Sequence, residues 1–359
     1  KRGEAVSDRS PLKTFPGVTL RNPSAILKND GDPYVVYTPY KNTWYEKPLP
    51  TPANCLPAPE SLPPLPEGIS SQDLPSAEPV ADFPGTAKEA QDRLTKFTKN
   101  GIHHYQSRRD QMDLEGTSKL SPYLRFGLVS AREAFSQTQI AFLQAQDDQD
   151  RAEIRTWMDE LVWREFYIAI LYHFPDVMEG PFRDKYQAVP WRDAPEDLQA
   201  WQEGKTGFPV VDACMRQLKH TGWMHNRGRM IVASFLTKDL LINWQDGEAW
   251  FMAQLVDGDP AANNGGWQWS AGTGTDAAPY FRIFNPILQG QKYDPDGTFI
   301  AKWIPSLKKL PVKFRHEPWK MSEEDAQKYD FNQGQDYPTR IVDHSFARKR
   351  ALEAYKFAV

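Results

Sequence analysis

Residues 48–84 divide the sequence into two unequal parts, and this division limits the folds that the chain can adopt. The segment contains 11 prolines and five acidic residues but neither Lys nor Arg. Proline fixes φ and lacks a backbone N–H, so repeated prolines interrupt helices and strands and favour an extended, solvated chain. The sequence therefore predicts a linker over residues 47–86, between a short front part (residues 1–46) and a long body (residues 87–359).

The body has apolar residues at the three- and four-residue spacings of amphipathic helices. This pattern predicts helices over residues 87–105, 130–144, 152–173, 210–220, 224–243 and 247–256. In the front part, residues 34–37 read as a short strand that follows a turn. We therefore predict a mainly α fold, with a large all-helical domain preceded by a remnant of an α/β domain.

The overall composition argues against several classes of protein. The net charge is −4, so any contact with DNA would need a local basic patch. Two cysteines, Cys55 and Cys214, cannot form a disulfide framework and are typical of a reducing compartment. No run of 18 apolar residues indicates a membrane span, and no Cys/His set has metal-ligand spacing. We expect a cytoplasmic monomer without a metal.

Hydroxyl side chains precede a predicted helix start in residues 115–125. Ser121 followed by Pro122 is a favourable N-cap and first-turn pair, with Thr117 and Ser118 just upstream. The unpaired N–H groups and the helix dipole at such a start favour an anion such as phosphate. An ordinary capped helix explains the same residues.

One face of the helix predicted over residues 152–173 carries Glu160, Trp163, Arg164 and Tyr167. The face either lines a pocket for a flat polar group or is a core stripe with an i,i+4 Glu–Arg pair.

A second helix would align Asn226, Arg227 and Met230, which suit base edges, a phosphate and an apolar ring contact. A solvated helix with a buried methionine would look similar. His225, beside it, is interpreted as a structural histidine.

Residues 257–269 combine polar side chains, two glycines and two indoles. Asp257, Asp259 and Asn263 are poor helix formers, and Gly265-Gly266 permit close approach to a ligand. The pattern predicts a polar loop that forms a binding site, with a purely structural loop as the alternative.

These motifs together resemble the class I cyclobutane pyrimidine dimer photolyases of the photolyase/cryptochrome superfamily. The resemblance runs from about residue 13 to the end of the sequence and is weakest in the linker. The matching strings are residues 115–121, 160–167, 203–209, 221–230, 257–269 and 273–286.

The resemblance implies a U-shaped FAD inside the helical domain, active in its reduced form. Asn263 matches the residue that faces flavin N5, and Arg229 and Asp257 match a pair packed at the flavin. The matching cofactor-binding positions are Tyr105, Thr117, Ser118, Lys119, Leu120, Ser121, Arg229, Asp257, Gly258, Asp259 and Asn263.

The resemblance also implies light-driven repair, in which excited reduced FAD donates an electron to a flipped-out dimer, the ring splits and the electron returns. Trp267, Trp244 and Trp191 match a chain that passes electrons to the flavin. With Glu160 and Asn263 they form the predicted catalytic set. The matching lesion and DNA positions are Arg109, Glu160, Trp163, Arg164, Tyr167, Asn226, Arg227, Met230, Trp269 and Gln289.

Three other functions compete with repair. A cryptochrome-type photoreceptor would bind FAD without repair, but Glu160, Trp163, Met230 and Trp269 form a dimer-fitting set that signalling does not need. A (6-4) photolyase would be expected to have a histidine-rich lesion pocket. A helical DNA-binding module without catalysis would not need Asn263 or the tryptophan chain.

The sequence departs from the family pattern in its N-terminal part, at Gly228, and at Pro260 and Gly272, which stand where other residues are common. Most of the N-terminal α/β domain has no counterpart here, so an antenna chromophore is not expected. Gly228 stands within a predicted helix where a larger apolar residue is usual, at a helix-propensity cost of roughly 1 kcal/mol.

Overall fold

The computed structural model describes residues 17–51 and 82–358, together with residues 53, 55, 59–64, 67–68, 73 and 80 between them. Over this part of the chain the fold is helical, and the only β pairings are two isolated bridges, Leu27 with Pro33 and Gln333 with Tyr337. The mainly α prediction is confirmed. Short 3-10 turns lie at Pro23–Ala25, Gly101–His104, Pro175–Met178, Asp184–Ala188, Pro305–Leu307 and Pro318–Lys320.

The α-helices are numbered here in chain order. They are α1 (Tyr37–Glu46), α2 (Ala87–Lys99), α3 (Tyr105–Arg108), α4 (Ser121–Arg125), α5 (Ala131–Gln144), α6 (Asp148–His173), α7 (Pro195–Glu203), α8 (Pro209–Thr221), α9 (Asn226–Ser234), α10 (Trp244–Gln254), α11 (Pro260–Ala271), α12 (Pro286–Tyr293), α13 (Thr298–Trp303), α14 (Val312–His316), α15 (Glu323–Lys328) and α16 (His344–Ala358).

Side-chain caps fix several helix starts. Thr86, Ser130 and Asp147 accept hydrogen bonds from backbone N–H groups in the first turns of α2, α5 and α6. Each cap satisfies a donor that has no partner within the helix. The helices predicted from residues 130 and 152 are confirmed, and α6 starts one turn earlier than expected because Asp147 caps it.

The helices pack around two large apolar cores. The first core lies between the front segment, α2, α5 and α6, and includes Trp44, Leu94, Phe135 and Phe166. The second core is built on α8–α11 and α13. Helix α11 packs against α6, α9 and α10, so it lies between the two cores. The division into domains at residues 46 and 87 stays a prediction.

Two local predictions are wrong. Residues 34–37 do not form a strand: Tyr37 begins α1, whose Tyr37, Tyr40 and Trp44 are all buried. Their spacing is helical, and the indole and both phenol rings reach the first core. The helix predicted over residues 224–243 begins at Asn226, where His225 caps it, and passes into a π-helical turn at Phe235–Asp239.

The polar loop predicted over residues 257–269 is also wrong, because most of it is helix α11. The Asp259 carboxylate accepts hydrogen bonds from the N–H groups of Ala261 and Ala262 at 3.0 and 3.1 Å, and Pro260 occupies the first turn. This Asp-Pro start signal was present in the sequence. It outweighs the low helix propensity of the residues that follow.

Candidate functional site

Glu160 is half-buried on α6 and is held there by a cation that directly follows α3. The Arg109 guanidinium donates a hydrogen bond to its carboxylate, and the phenol ring of Tyr105 lies 5.9 Å from that guanidinium. Burial raises the pKa of Glu160, and Arg109 opposes the rise. The i,i+4 pair between Glu160 and Arg164, the structural alternative, is therefore not what holds this carboxylate.

Trp163 lies one turn further along α6 and is half-buried. Its indole stacks on the ring of Tyr37, with centroids 3.4 Å apart and planes 8° from parallel. The rings of Phe166 and Tyr167 both lie 5.7 Å from the indole centroid. Aromatic contacts thus fix the orientation of the indole and leave part of its surface accessible.

Helix α11 approaches this face of α6 closely at one residue. A Cβ atom added to Gly265 would lie 2.1 Å from Cδ1 of Tyr167, so only glycine fits there. The contact brings the helix that carries the half-buried Trp269 against the helix that carries Trp163.

Asn226 and Met230 share one face of α9, as the sequence predicts. The Asn226 amide lies 3.8 Å from the Met230 sulfur. Arg227 turns to another side of the helix, where it pairs with Asp110 at 2.8 Å and lies over the ring of Tyr293 at 4.2 Å.

The segment before α4 differs from its expected cap geometry. Ser121 is the first helical residue and Leu120 holds the N-cap position, with no side-chain cap, so the predicted Ser121 cap is wrong. Ser118 is turned inward, and the Trp157 indole donates to its hydroxyl at 3.4 Å. Gly116 passes so close to α3 that a Cβ would lie 2.4 Å from the Arg108 carbonyl oxygen.

Three cations and one carboxylate surround a buried imidazole near this segment. Burial lowers the pKa of His225 to about 4; the Asp110 carboxylate opposes this shift, and the charges of Arg227, Arg229 and Lys119 add to it. The backbone N–H of Arg227 donates a hydrogen bond to His225 Nδ1 at 3.1 Å. The hydrogen of the neutral imidazole is therefore on Nε2. Nε2 is buried and has no partner among the described residues.

These features match what a diphosphate-bearing cofactor requires. A neutral N–H donor without a partner, with the cations Arg229 and Lys119 nearby, fits the phosphate oxygens of FAD. Arg229 is held there by a two-oxygen contact, because its Nη2 lies 2.8 and 3.1 Å from the oxygens of the buried Asp257. The sequence-predicted pairing of Arg229 with Asp257 is therefore present in the structure.

Arg125 joins Gly258 and Asp259 to α4. Its Nε donates to the Gly258 carbonyl at 2.8 Å and lies 3.8 Å from Asp259. Arg125 lies at the end of the predicted anion-binding segment, and its role depends on contacts that the local sequence does not reveal. Its side chain orients two residues of the predicted cofactor set.

Asn263 is fixed by a backbone acceptor on α10. Its side-chain amide nitrogen donates a hydrogen bond to the Glu248 backbone carbonyl at 3.1 Å. The amide oxygen therefore points away from that carbonyl. Asn264 donates to the Glu248 carboxylate at 3.1 Å, and Gln268 donates to Asn264 at 3.1 Å. This network orients Asn263 before any ligand binds.

The three tryptophans of the predicted electron chain differ in exposure. Trp267 and Trp244 are each 2% exposed, whereas Trp191 is half-buried. The order therefore runs from the interior toward the surface. Trp267 lies against α10, where a Cβ on Gly247 would be 2.1 Å from its Cη2 atom. Trp201, outside the predicted chain, has its ring centroid 6.0 Å from that of Trp267.

Some predicted residues lie apart from these contacts. The Arg164 guanidinium donates to the backbone carbonyls of Val18 at 2.7 Å and Leu124 at 3.5 Å. Gln289 is on α12, and its side-chain oxygen is buried without a partner in the described part of the chain. Sequence reasoning missed Tyr37 and Asp110, because their partners are more than 100 residues away.

Comparison with known proteins shows the family to which the chain belongs. Residues 157–357 match the family described as the FAD binding domain of DNA photolyase. The chain is 45% identical to the deoxyribodipyrimidine photo-lyase of Escherichia coli over 96% of its own length and 72% of that protein's.

Two solved structures share the fold. A class III photolyase from Agrobacterium tumefaciens aligns with a TM-score of 0.87 at 39% identity, over 99% of this chain and 75% of that one. A Synechocystis cryptochrome aligns with a TM-score of 0.77 at 30% identity, over 94% and 72%. The family match, the E. coli relative and the helical fold lead to one conclusion: the chain belongs to the DNA photolyase family and carries its FAD-binding domain.

Proposed function

We propose that this chain repairs cyclobutane pyrimidine dimers in DNA with light, using FAD as its cofactor. The observation that carries the proposal is the contact of Gly265 with Tyr167, which brings together the helices that carry Trp163 and Trp269. Relatives 40–45% identical are named deoxyribodipyrimidine photo-lyases, which favours repair over signalling. The monomer is the proposed working form.

The cofactor is proposed to bind where cations and neutral donors converge. Arg229 and Lys119 supply positive charge, and His225 Nε2 supplies a neutral donor for a phosphate oxygen. Asp257 keeps Arg229 in place. When bound, reduced and excited by light, FAD would supply the electron that splits the cyclobutane ring and would take it back once the ring has opened.

Around the cofactor, Asn263 presents its amide oxygen toward the flavin edge, in the orientation set by the Glu248 carbonyl. The residues proposed to complete the cofactor site are Tyr105, Thr117, Ser118, Leu120, Ser121, Gly258 and Asp259.

The dimer is proposed to lie between the half-buried indoles of Trp163 and Trp269, each stacking on one base. Stacking of this kind is worth about 1–3 kcal/mol per base. Glu160 meets the polar edge of the thymine, and Arg109 keeps its carboxylate in that position. Asn226 and Met230 form the adjoining wall on α9.

Further roles are proposed from the resemblance to the photolyase family. Arg227 and Gln289 are proposed to contact the DNA beside the lesion, with Arg164 and Tyr167 supporting the α6 face. Trp191, Trp244 and Trp267 are proposed to carry electrons from the half-buried Trp191 inward, since indole oxidises readily and short steps favour transfer.

A repair assay on DNA with a single thymine dimer tests the proposal. We expect reduced, FAD-loaded protein to restore the bases under blue or near-UV light and not in the dark. We expect Trp163→Ala to weaken binding to dimer-containing DNA by about tenfold or more, as loss of a base stack predicts, while FAD content stays unchanged.

Trp319→Ala is the matched control, because Trp319 is a half-buried indole that packs against Phe208 and Arg340 instead. FAD binding without light-dependent repair would contradict the proposal and support a photoreceptor. Equal effects of both substitutions would show that Trp163 acts only in packing.

A further inference from the structure

Tyr37 covers one face of the indole that is proposed to stack on the lesion. The two rings lie 3.4 Å apart and nearly parallel, and Tyr37 is only 5% exposed. A base therefore cannot reach this face of Trp163. The accessible part of the indole lies on its other sides, so the phenol ring decides which face of Trp163 can receive a base.

The phenol ring is anchored to the same turn of α6 that carries the lesion-binding residues. Its hydroxyl donates to the Asp159 carbonyl at 2.9 Å, and the edge of Phe166 packs against the ring at 5.8 Å. Lys41 and Tyr45, also on α1, each bond the Asp159 carboxylate at 2.9 Å. Helix α1 is thus fixed to the residue that directly precedes Glu160.

Tyr37 also contacts the segment that follows α11. Its backbone N–H donates to the Asp276 carboxylate at 3.2 Å, across 239 residues of sequence. Asp276 lies shortly after Trp269, the second proposed stacking indole. Tyr37 therefore connects the helix of Trp163 to the chain that leads away from Trp269.

We propose that Tyr37 is a positioning residue for lesion recognition, which backs the Trp163 indole so that a pyrimidine dimer stacks only on its open side. The inference rests on the proposed function and adds to it a residue from outside the helical body. Stacking on the phenol removes rotational freedom from the indole before the lesion arrives, so binding costs less conformational entropy.

The test compares ring-bearing and ring-free side chains at position 37 of the FAD-loaded full chain. We expect Tyr37→Leu to weaken binding to an oligonucleotide with one thymine dimer by about fivefold, the order expected for loss of an aromatic pair. Affinity for undamaged DNA and FAD content should not change. Tyr37→Phe keeps the stack without the hydroxyl and should bind the dimer within about twofold of the native protein.

Tyr45→Leu is the matched control, because it removes a tyrosine hydrogen bond from α1 to Asp159 and leaves the stack on the Trp163 indole in place. An equal loss of dimer binding in Tyr37→Leu and Tyr45→Leu would overturn the inference, because α1 would then act only by docking. Tyr37→Met, with a flexible thioether in place of the ring, replaces the leucine variant if that variant does not fold.

The proposed function fails in a different way. If Trp163→Ala leaves dimer binding intact, the lesion is not at this indole. If Trp163→Ala weakens dimer binding and Tyr37→Leu does not, only the role of Tyr37 is refuted.

Discussion

At the scale of single residues, Gly228 on α9 packs closely against Cys214 on α8. A Cβ on Gly228 would lie 2.8 Å from the Cys214 sulfur and 3.2 Å from Met224 Cγ. The thiol, which is fully buried on α8, fills the space that a side chain on α9 would need. The glycine is therefore compatible with α9 despite its low helix propensity, because the neighbouring helix supplies the missing volume.

This pairing predicts a compensating double substitution. We expect Gly228→Ala alone to lower the free energy of unfolding by about 1–3 kcal/mol through overpacking. Adding Cys214→Ala should recover most of that loss, because the methyl group then has room and alanine favours the helix. Urea unfolding of the four proteins measures the coupling energy. Additive losses would show that the two residues do not share this space.

At the scale of elements, α11 shows what the sequence could and could not predict. Asn264 and Gly265 are poor helix formers, yet each has a specific partner: the Glu248 carboxylate for the first, and the ring of Tyr167 for the second. Such tertiary contacts outweigh local propensity and cannot be read from a local window. The Asp259-Pro260 start of α11 is, in contrast, a local signal that the sequence contains.

The sequence predicted the amphipathic helices more completely than it predicted the contacts of the site residues. Regular apolar spacing was enough to predict α5, α6 and α8. The sequence predicted Arg109, Glu160 and Trp163 as site residues, but not that Arg109 pairs with Glu160, from which it is 51 residues away. Pairing over such distances depends on how helices pack, which periodicity does not encode.

Helix packing at Gly247 yields a second prediction. We expect Gly247→Ala to slow light-driven reduction of bound FAD, because a Cβ there would collide with Trp267 and displace its ring. Overpacking should also lower the free energy of unfolding by about 1–3 kcal/mol. Transient absorption and urea unfolding measure the two effects.

Gly266→Ala is the control on the neighbouring helix, since a Cβ at Gly266 meets nothing within 4 Å. It should leave photoreduction unchanged and stabilise α11 by up to about 1 kcal/mol. Slower photoreduction in the Gly266 variant would argue against a specific role for the Gly247–Trp267 contact.

At the scale of the whole molecule, Glu165 joins the front segment to the helical body. This carboxylate on α6 accepts hydrogen bonds from the Leu20 N–H and from the Trp44 indole, the latter at 2.8 Å. The Arg21 guanidinium lies 4.4 Å above the same indole. Burial raises the pKa of Glu165 to about 7, although both hydrogen bonds oppose the rise.

The raised pKa predicts how stability depends on pH. The folded protein binds a proton at Glu165 more tightly than the unfolded chain, whose pKa is about 4.3. The stabilisation is therefore complete below about pH 4.3 and is lost as the pH rises through 7. The stabilisation lost is on the order of 4 kcal/mol.

Glu165→Gln should remove this part of the pH dependence, as measured by urea unfolding at pH 5 and pH 8. Glu196→Gln, on the exposed first turn of α7, should retain it. An unchanged pH dependence in the Glu165 variant would assign the effect to other groups.

No helix in the described ranges is long and apolar enough to cross a membrane. The helices instead bury their apolar faces against one another, and α1 contributes three aromatic side chains to the first core.

The burial of α1 in that core shows how the front segment is held against the helical body. Residues 17–46 dock on α6 like a peptide ligand, through Tyr37, Trp44 and the donors to Glu165. Because this ligand and α6 belong to one chain, the ligand is held at a high effective concentration and stays close to its docking site even when a single contact opens.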